Sequence, residues 1–70
     1  MTVIVLNGER RELPAAATVE AAVHLAGAPE GARGVAVALD GEVVPRGEWA
    51  TTEVRDGQQL EVLRAVQGGA

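Results

Sequence analysis

Seventy residues with one Trp and neither Phe nor Tyr allow one domain around a small aliphatic core, since a chain this short buries only about 60% of its unfolded surface. The absence of Cys excludes disulfides and thiolate metal sites, and an apolar content of 47% excludes the disordered class, so packing alone must hold the fold. Ten acidic residues against six arginines give a net charge of −4, which repels phosphate backbones, argues against nucleic-acid binding and suits a basic partner surface.

In chain order, Thr2–Leu6 is β-branched and apolar, Asn7-Gly8 is a turn dipeptide that supplies positive φ, and Glu9–Leu13 continues beyond it. This spacing predicts an N-terminal hairpin. Pro14 and Ala15 to Ala17 interrupt the strand pattern, and Thr18 offers a hydroxyl to cap a helix opening at Val19. Val19, Ala22, Val23 and Ala26 mark one buried helical face, Glu20 suits the positive helix start, and Gly27 is a natural stop. Residues 28–34, APEGARG, lack any hydrophobic period and are expected to form a loop. Residues 34–39 then predict a third strand, Asp40-Gly41 a second tight turn, and residues 42–44 a short fourth strand ended by Pro45. After a polar stretch containing Trp49, Asp56-Gly57 is a third turn signal and residues 59–65 a last strand, followed by the unpatterned Gln67, Gly68, Gly69 and Ala70.

Hairpin, helix, hairpin and final strand make an α+β chain with one main helix covering a mixed sheet of about five strands. That is the β-grasp, or ubiquitin-like, arrangement, in which the first and last strands pair in parallel at the sheet centre. The expected organisation is a β-grasp domain over residues 1–66 and a flexible C-terminal tail over residues 67–70. The start of the chain has neither the basic residues nor the apolar stretch of a signal peptide, and the longest apolar run, Val35–Leu39, is far short of a membrane span. The expectation is a cytoplasmic protein that meets no membrane.

Intrinsic catalysis is not expected, because one His, no Cys and no suggestive carboxylate pair leave nothing to assemble a catalytic centre. His24 lacks a second nitrogen or sulfur ligand and reads as a surface or boundary residue, with no metal site. Trp49, the sole aromatic, reads as a packing residue that pins the crossing loop to the core. Strand alternation puts some of Ala36, Ala38 and Leu63 opposite the helix-covered face. Either the central strands are apolar on both sides, or these residues form a low-relief partner face rimmed by charges such as Arg64 and Glu61.

The sharpest signal is the tail. Adjacent glycines at a chosen pair of positions arise by chance roughly once in two hundred at about 7% glycine, and here they follow the final strand. A C-terminal glycine, lacking Cβ, can pass through a narrow channel and present its carboxylate to a partner's ATP. Activation as an acyl adenylate makes that carboxyl carbon electrophilic, and a sulfur nucleophile can convert it to a thiocarboxylate. With no Lys, the chain cannot accept an isopeptide bond through a side chain.

The chain resembles the ThiS family, the sulfur carriers of thiamine thiazole biosynthesis, which are similar in fold to molybdopterin synthase small subunits and ubiquitin. The resemblance spans essentially the whole chain: Asn7-Gly8, Thr18-Val19, Val35–Leu39, Val43-Val44-Pro45-Arg46 with Trp49, Val54, Asp56-Gly57, residues 60–63 and Gly68-Gly69. Val-Pro-Arg followed three residues later by Trp is the most distinctive element. The resemblance implies that a ThiF-type enzyme, using its own ATP and Mg, adenylates Gly69, that sulfur derived from cysteine through a sulfur donor system replaces the adenylate, and that the thiocarboxylate serves a ThiG-type thiazole synthase. It implies tail-presenting roles for Val66, Gln67 and Gly68, and no cofactor on the chain itself. Ala70 departs from the family pattern, which ends at the second glycine; removal by a peptidase, or absence from the working protein, ranks above direct activation of Ala70. The rival readings are a sulfur carrier for molybdopterin, cysteine or a secondary metabolite, and a non-catalytic β-grasp interaction module.

Overall fold

The structure, a computed structural model, describes residues 1–28 and 34–64. Five strands and one helix follow in order: β1 (Thr2–Leu6), β2 (Glu9–Leu13), α1 (Val19–Leu25), β3 (Val35–Leu39), β4 (Glu42–Val43) and β5 (Gln59–Arg64), with a single 3-10 turn at Arg46–Glu48 between β4 and β5. The sheet order is β2-β1-β5-β3-β4, and β5 lies at the centre, parallel to β1 and antiparallel to β3. The expected mixed sheet with parallel first and last strands is therefore present. None of the described helices is long and apolar enough to cross a membrane.

Alternation along the strands builds the core. Thr2, Ile4 and Leu6 of β1 and Leu60 and Val62 of β5 face α1, and Ile4 and Leu60 are fully buried at 0% exposure. From α1, Val19, Ala22 and Val23 meet them, and the small Ala22 allows helix and sheet to approach closely. The helix is punctuated as its residues predict. Thr18 Oγ1 accepts from the Ala21 amide at 3.4 Å, while at the other end Gly27 takes φ 83 and the Ala28 and Gly27 amides donate to the Val23 and His24 carbonyls. That pair of bonds is a Schellman ending, with Ala28 packed onto the core.

Two strand boundaries differ from the sequence reading, each for a local reason. The third strand starts at Val35, because Gly34 is left-handed with φ 69. The fourth strand ends at Val43: the Val44 carbonyl accepts from Trp49 Nε1 at 2.9 Å, and Pro45 has no N–H to extend a ladder. Ala16, in the turn closed by the Ala17 amide on the Pro14 carbonyl, takes φ 64. The last strand runs through Arg64; Ala65 and the boundary expected at 66/67 lie outside the described residues, as does most of the loop expected at 28–34.

Trp49 is the packing residue that its size suggests. It is 5% exposed, its indole N–H is satisfied by Val44, and the Arg46 guanidinium lies 5.9 Å over its ring. The Val-Pro-Arg-x-x-Trp segment is thus one structural unit: a buried valine supplies the acceptor, a proline opens the 3-10 turn, and an arginine covers the outer ring face.

Candidate functional site

The tail expected to carry the chemistry leaves β5, so the anchoring of β5 decides what the fold offers it. At its start, Asp40 holds the strand: Oδ1 accepts from the Gln59 amide at 2.9 Å, Oδ2 from Gln58 Nε2 at 3.1 Å, and the Asp40 amide donates to the Gln59 carbonyl at 2.7 Å. At its end, two side-chain contacts tie it to distant parts of the chain. Asn7 Oδ1 accepts from the Val62 amide at 2.8 Å, while Asn7 Nδ2 donates to the Val62 carbonyl at 3.2 Å. Arg64 Nη2 donates to the Gly27 carbonyl just beyond α1, where a cation complements the negative end of the helix.

The sheet face away from α1 is open. Val35–Leu39 pairs with β5 so that Ala36 stands opposite Leu63 and Ala38 opposite Glu61, and on the other side Ala38 stands opposite Val43. Ala36, Ala38, Val43 and Leu63 therefore form one cross-strand apolar group. Leu63 is 63% and Val43 76% exposed, although both are large apolar residues. Among the described residues Ala36, Val43 and Leu63 are exposed and Ala38 is half-buried, an exposure that both readings left by the sequence share.

Three of the four residues expected on a partner face share this surface, and Arg64 does not. Its position has the same parity as Leu60 and Val62, which point toward the helix, and its guanidinium reaches Gly27 on that side. Glu61 does rim the apolar group, as alternation predicts. Val43 is the member that sequence reasoning missed; its signal was there, because a valine two residues past the Asp40-Gly41 turn must sit opposite Ala38 if the turn contains two residues. Asn7 was read as turn punctuation alone, and its hold on Val62 was missed as well.

The remaining candidates are quickly placed. His24 is exposed on α1. Among the described residues no three His, Cys, Asp or Glu side chains gather as a metal-binding group. Val66, Gln67, Gly68, Gly69 and Ala70 lie outside the described residues.

Comparison with known families decides the kinship. Residues 4–69, nearly the whole chain and both glycines of the tail, match the ThiS family. The chain belongs to the ThiS family. A solved structure titled as the thiamine biosynthesis protein ThiS from Geobacter metallireducens superposes with a TM-score of 0.74 at 28% identity, covering 97% of this chain and 100% of that one. The described residues thus have the fold of that ThiS structure. A thiazole synthase of Paramagnetospirillum magneticum is 39% identical over 67 residues, which are 96% of this chain and 20% of that protein. The chain therefore spans about a fifth of the length of that curated relative. Ala70 falls beyond the family match, which stops at Gly69.

Proposed function

We propose that this ThiS family chain is a sulfur carrier for thiazole formation in thiamine biosynthesis, and a substrate of partner enzymes in the cytoplasm rather than an enzyme. The observation that carries the reading is the family match running through Gly69, on a domain whose central strand leads to that residue. Similarity to a protein named thiazole synthase supports thiazole as the destination of the sulfur, over molybdopterin or another product.

In this mechanism a ThiF-type partner supplies ATP and Mg. An oxygen of the Gly69 carboxylate attacks the α-phosphorus of ATP, pyrophosphate leaves, and an acyl adenylate remains. Sulfur drawn from cysteine and delivered at the sulfide level by a donor system then attacks the acyl carbon, AMP departs, and a thiocarboxylate results. A ThiG-type synthase takes the sulfur into the ring. The carrier contributes reach and docking. Gly68 keeps the end of the tail slender, and Val66 and Gln67 guide it. The carboxylate belongs to Gly69 only once Ala70 is gone, since even one methyl matters in a channel shaped for glycine.

The test uses the chain ending at Gly69 with a ThiF-type enzyme already active on its own carrier, ATP and a sulfur source. Intact mass is expected to report exchange of one oxygen for sulfur. A mass that never changes removes the carrier reading and leaves the interaction module.

The open sheet face is the proposed docking surface for the adenylating partner, because an exposed apolar group with Glu61 beside it suits an apolar partner surface that carries a cation. Replacing Leu63, already 63% exposed, by Glu is expected to leave thermal stability nearly unchanged. It should raise the KM for the carrier about tenfold with kcat preserved, the size of a modest interface anchor. Steady-state adenylation kinetics check this, and an unchanged KM removes the face from the interface.

A further inference from the structure

We propose that Asn7 is a positioning residue for the C-terminal tail, an inference that rests on the sulfur-carrier reading. The backbone of β1 ends at Leu6, and Asn7 turns away into the hairpin with φ 50. Its own amide still donates to the Leu60 carbonyl at 2.9 Å, the last main-chain bond of the parallel ladder on this side. At Val62 the strand has no backbone neighbour from β1 to meet it. The Asn7 side chain stands in for one, because a primary amide carries the same donor and acceptor pair as a strand residue. It accepts from the Val62 amide at 2.8 Å and donates to the Val62 carbonyl at 3.2 Å, across 55 positions of sequence.

Turn chemistry alone does not call for this residue. Glycine makes a two-residue turn with positive φ at least as readily, and offers no clamp. With Asn7 on one side and β3 on the other, β5 is held on both edges through Val62, seven positions before Gly69 (69 − 62 = 7). Beyond Val62 the strand is held by β3 and by Arg64 on the Gly27 carbonyl, and the clamp is its last hold on the β1 side before the tail. Loosening it spreads the directions in which the tail departs, so fewer docked carriers present the carboxylate correctly. The cost should therefore fall on turnover after docking, since docking itself uses the sheet face.

The test compares Asn7→Gly, which keeps the turn and removes the amide, with Asn7→Asp, which keeps the acceptor and loses the donor. Thr18→Ala serves as a control that loses stability at the helix cap, far from the end of β5. For Asn7→Gly, hydrogen exchange at the Val62 amide is expected to quicken about tenfold relative to Leu60, the worth of roughly one net hydrogen bond. With a ThiF-type partner and the chain ending at Gly69, kcat for thiocarboxylate formation should fall roughly threefold to tenfold while KM stays within about twofold. Asn7→Asp should lie between, and Thr18→Ala should match the unsubstituted chain in both readouts. Unchanged Val62 exchange, an unchanged kcat, or an equal loss of kcat in Thr18→Ala overturns the proposal. If the unsubstituted chain is never thiocarboxylated, the carrier reading fails and the positioning role with it, while Val62 exchange still reports whether the clamp exists.

Discussion

Replacing Gly69 by Val in the chain ending at that residue is expected to abolish thiocarboxylate formation while leaving the fold untouched. The substitution lies beyond β5, and the buried residues among those described all belong to segments before it. Circular dichroism and the thermal midpoint should therefore coincide with those of the unsubstituted chain. At the reacting carboxyl the situation differs. A β-branched side chain widens the segment that must enter the partner's channel and displaces the carbon that has to meet phosphate and then sulfur. A single added methylene in an apolar pocket is worth about 1–3 kcal/mol, valine adds three carbons, and misplacement of a reacting atom adds to that, so a loss of about 100-fold or more is expected. Intact mass after incubation with the adenylating enzyme, ATP and a sulfur source gives the answer. Normal conversion of the Val variant would move the chemistry away from Gly69.

Trp49→Ala should have the opposite profile, a global loss of stability. The indole is 5% exposed and is the largest side chain in the core cluster. Truncating a buried Trp to Ala typically costs about 3–5 kcal/mol through lost burial and the cavity left behind. The Val44 carbonyl also loses its donor. A domain of this size has only roughly 4–10 kcal/mol of total stability, so the variant is expected to lose about a third or more of it and to unfold at much lower urea. Trp49→Phe keeps most of the apolar area and drops the hydrogen bond, with an expected loss of about 1–2 kcal/mol. Urea titration followed by far-UV circular dichroism measures both, since the variants lack the one indole that would serve as a fluorescence probe. A Trp49→Ala chain as stable as the parent would show that the 3-10 segment contributes little to the core.

Much of this architecture was legible in the residues because local and tertiary signals agree. Asn7-Gly8 and Asp40-Gly41 mark their turns at the places where φ is positive. Thr18 caps the helix that follows it, and the alternation of Ile4, Leu6, Leu60 and Val62 identifies the inner face. What escaped depends on chain segments far apart in sequence. The partner of Arg64 is the Gly27 carbonyl, 37 positions away, and the bond from Asn7 to Val62 exists only once β1 and β5 lie side by side. Val43 belongs to the open face through its pairing with Ala38, which needs the register as well as the strand. Ala16 at φ 64 has no compositional signal, because alanine is not a residue that favours that conformation. The glycine pair was visible as a motif; its chemical role rests on the family and on the proposed mechanism.

The parallel ladder joining β1 to β5 also constrains how the domain comes into being. Its two strands are separated by nearly the whole described chain, with Val5 opposite Gln59 and Leu6 opposite Leu60. The entropy of closing so long a loop must be met before those contacts return anything, so folding is expected to be slower than in a helical domain of equal length. On a ribosome, the first hairpin and α1 can form early, but Ile4 and Leu6 have no Leu60 or Val62 to pack against until β5 has emerged. The core therefore closes only after β5 has emerged, and the strand that completes it is the one that leads into the tail.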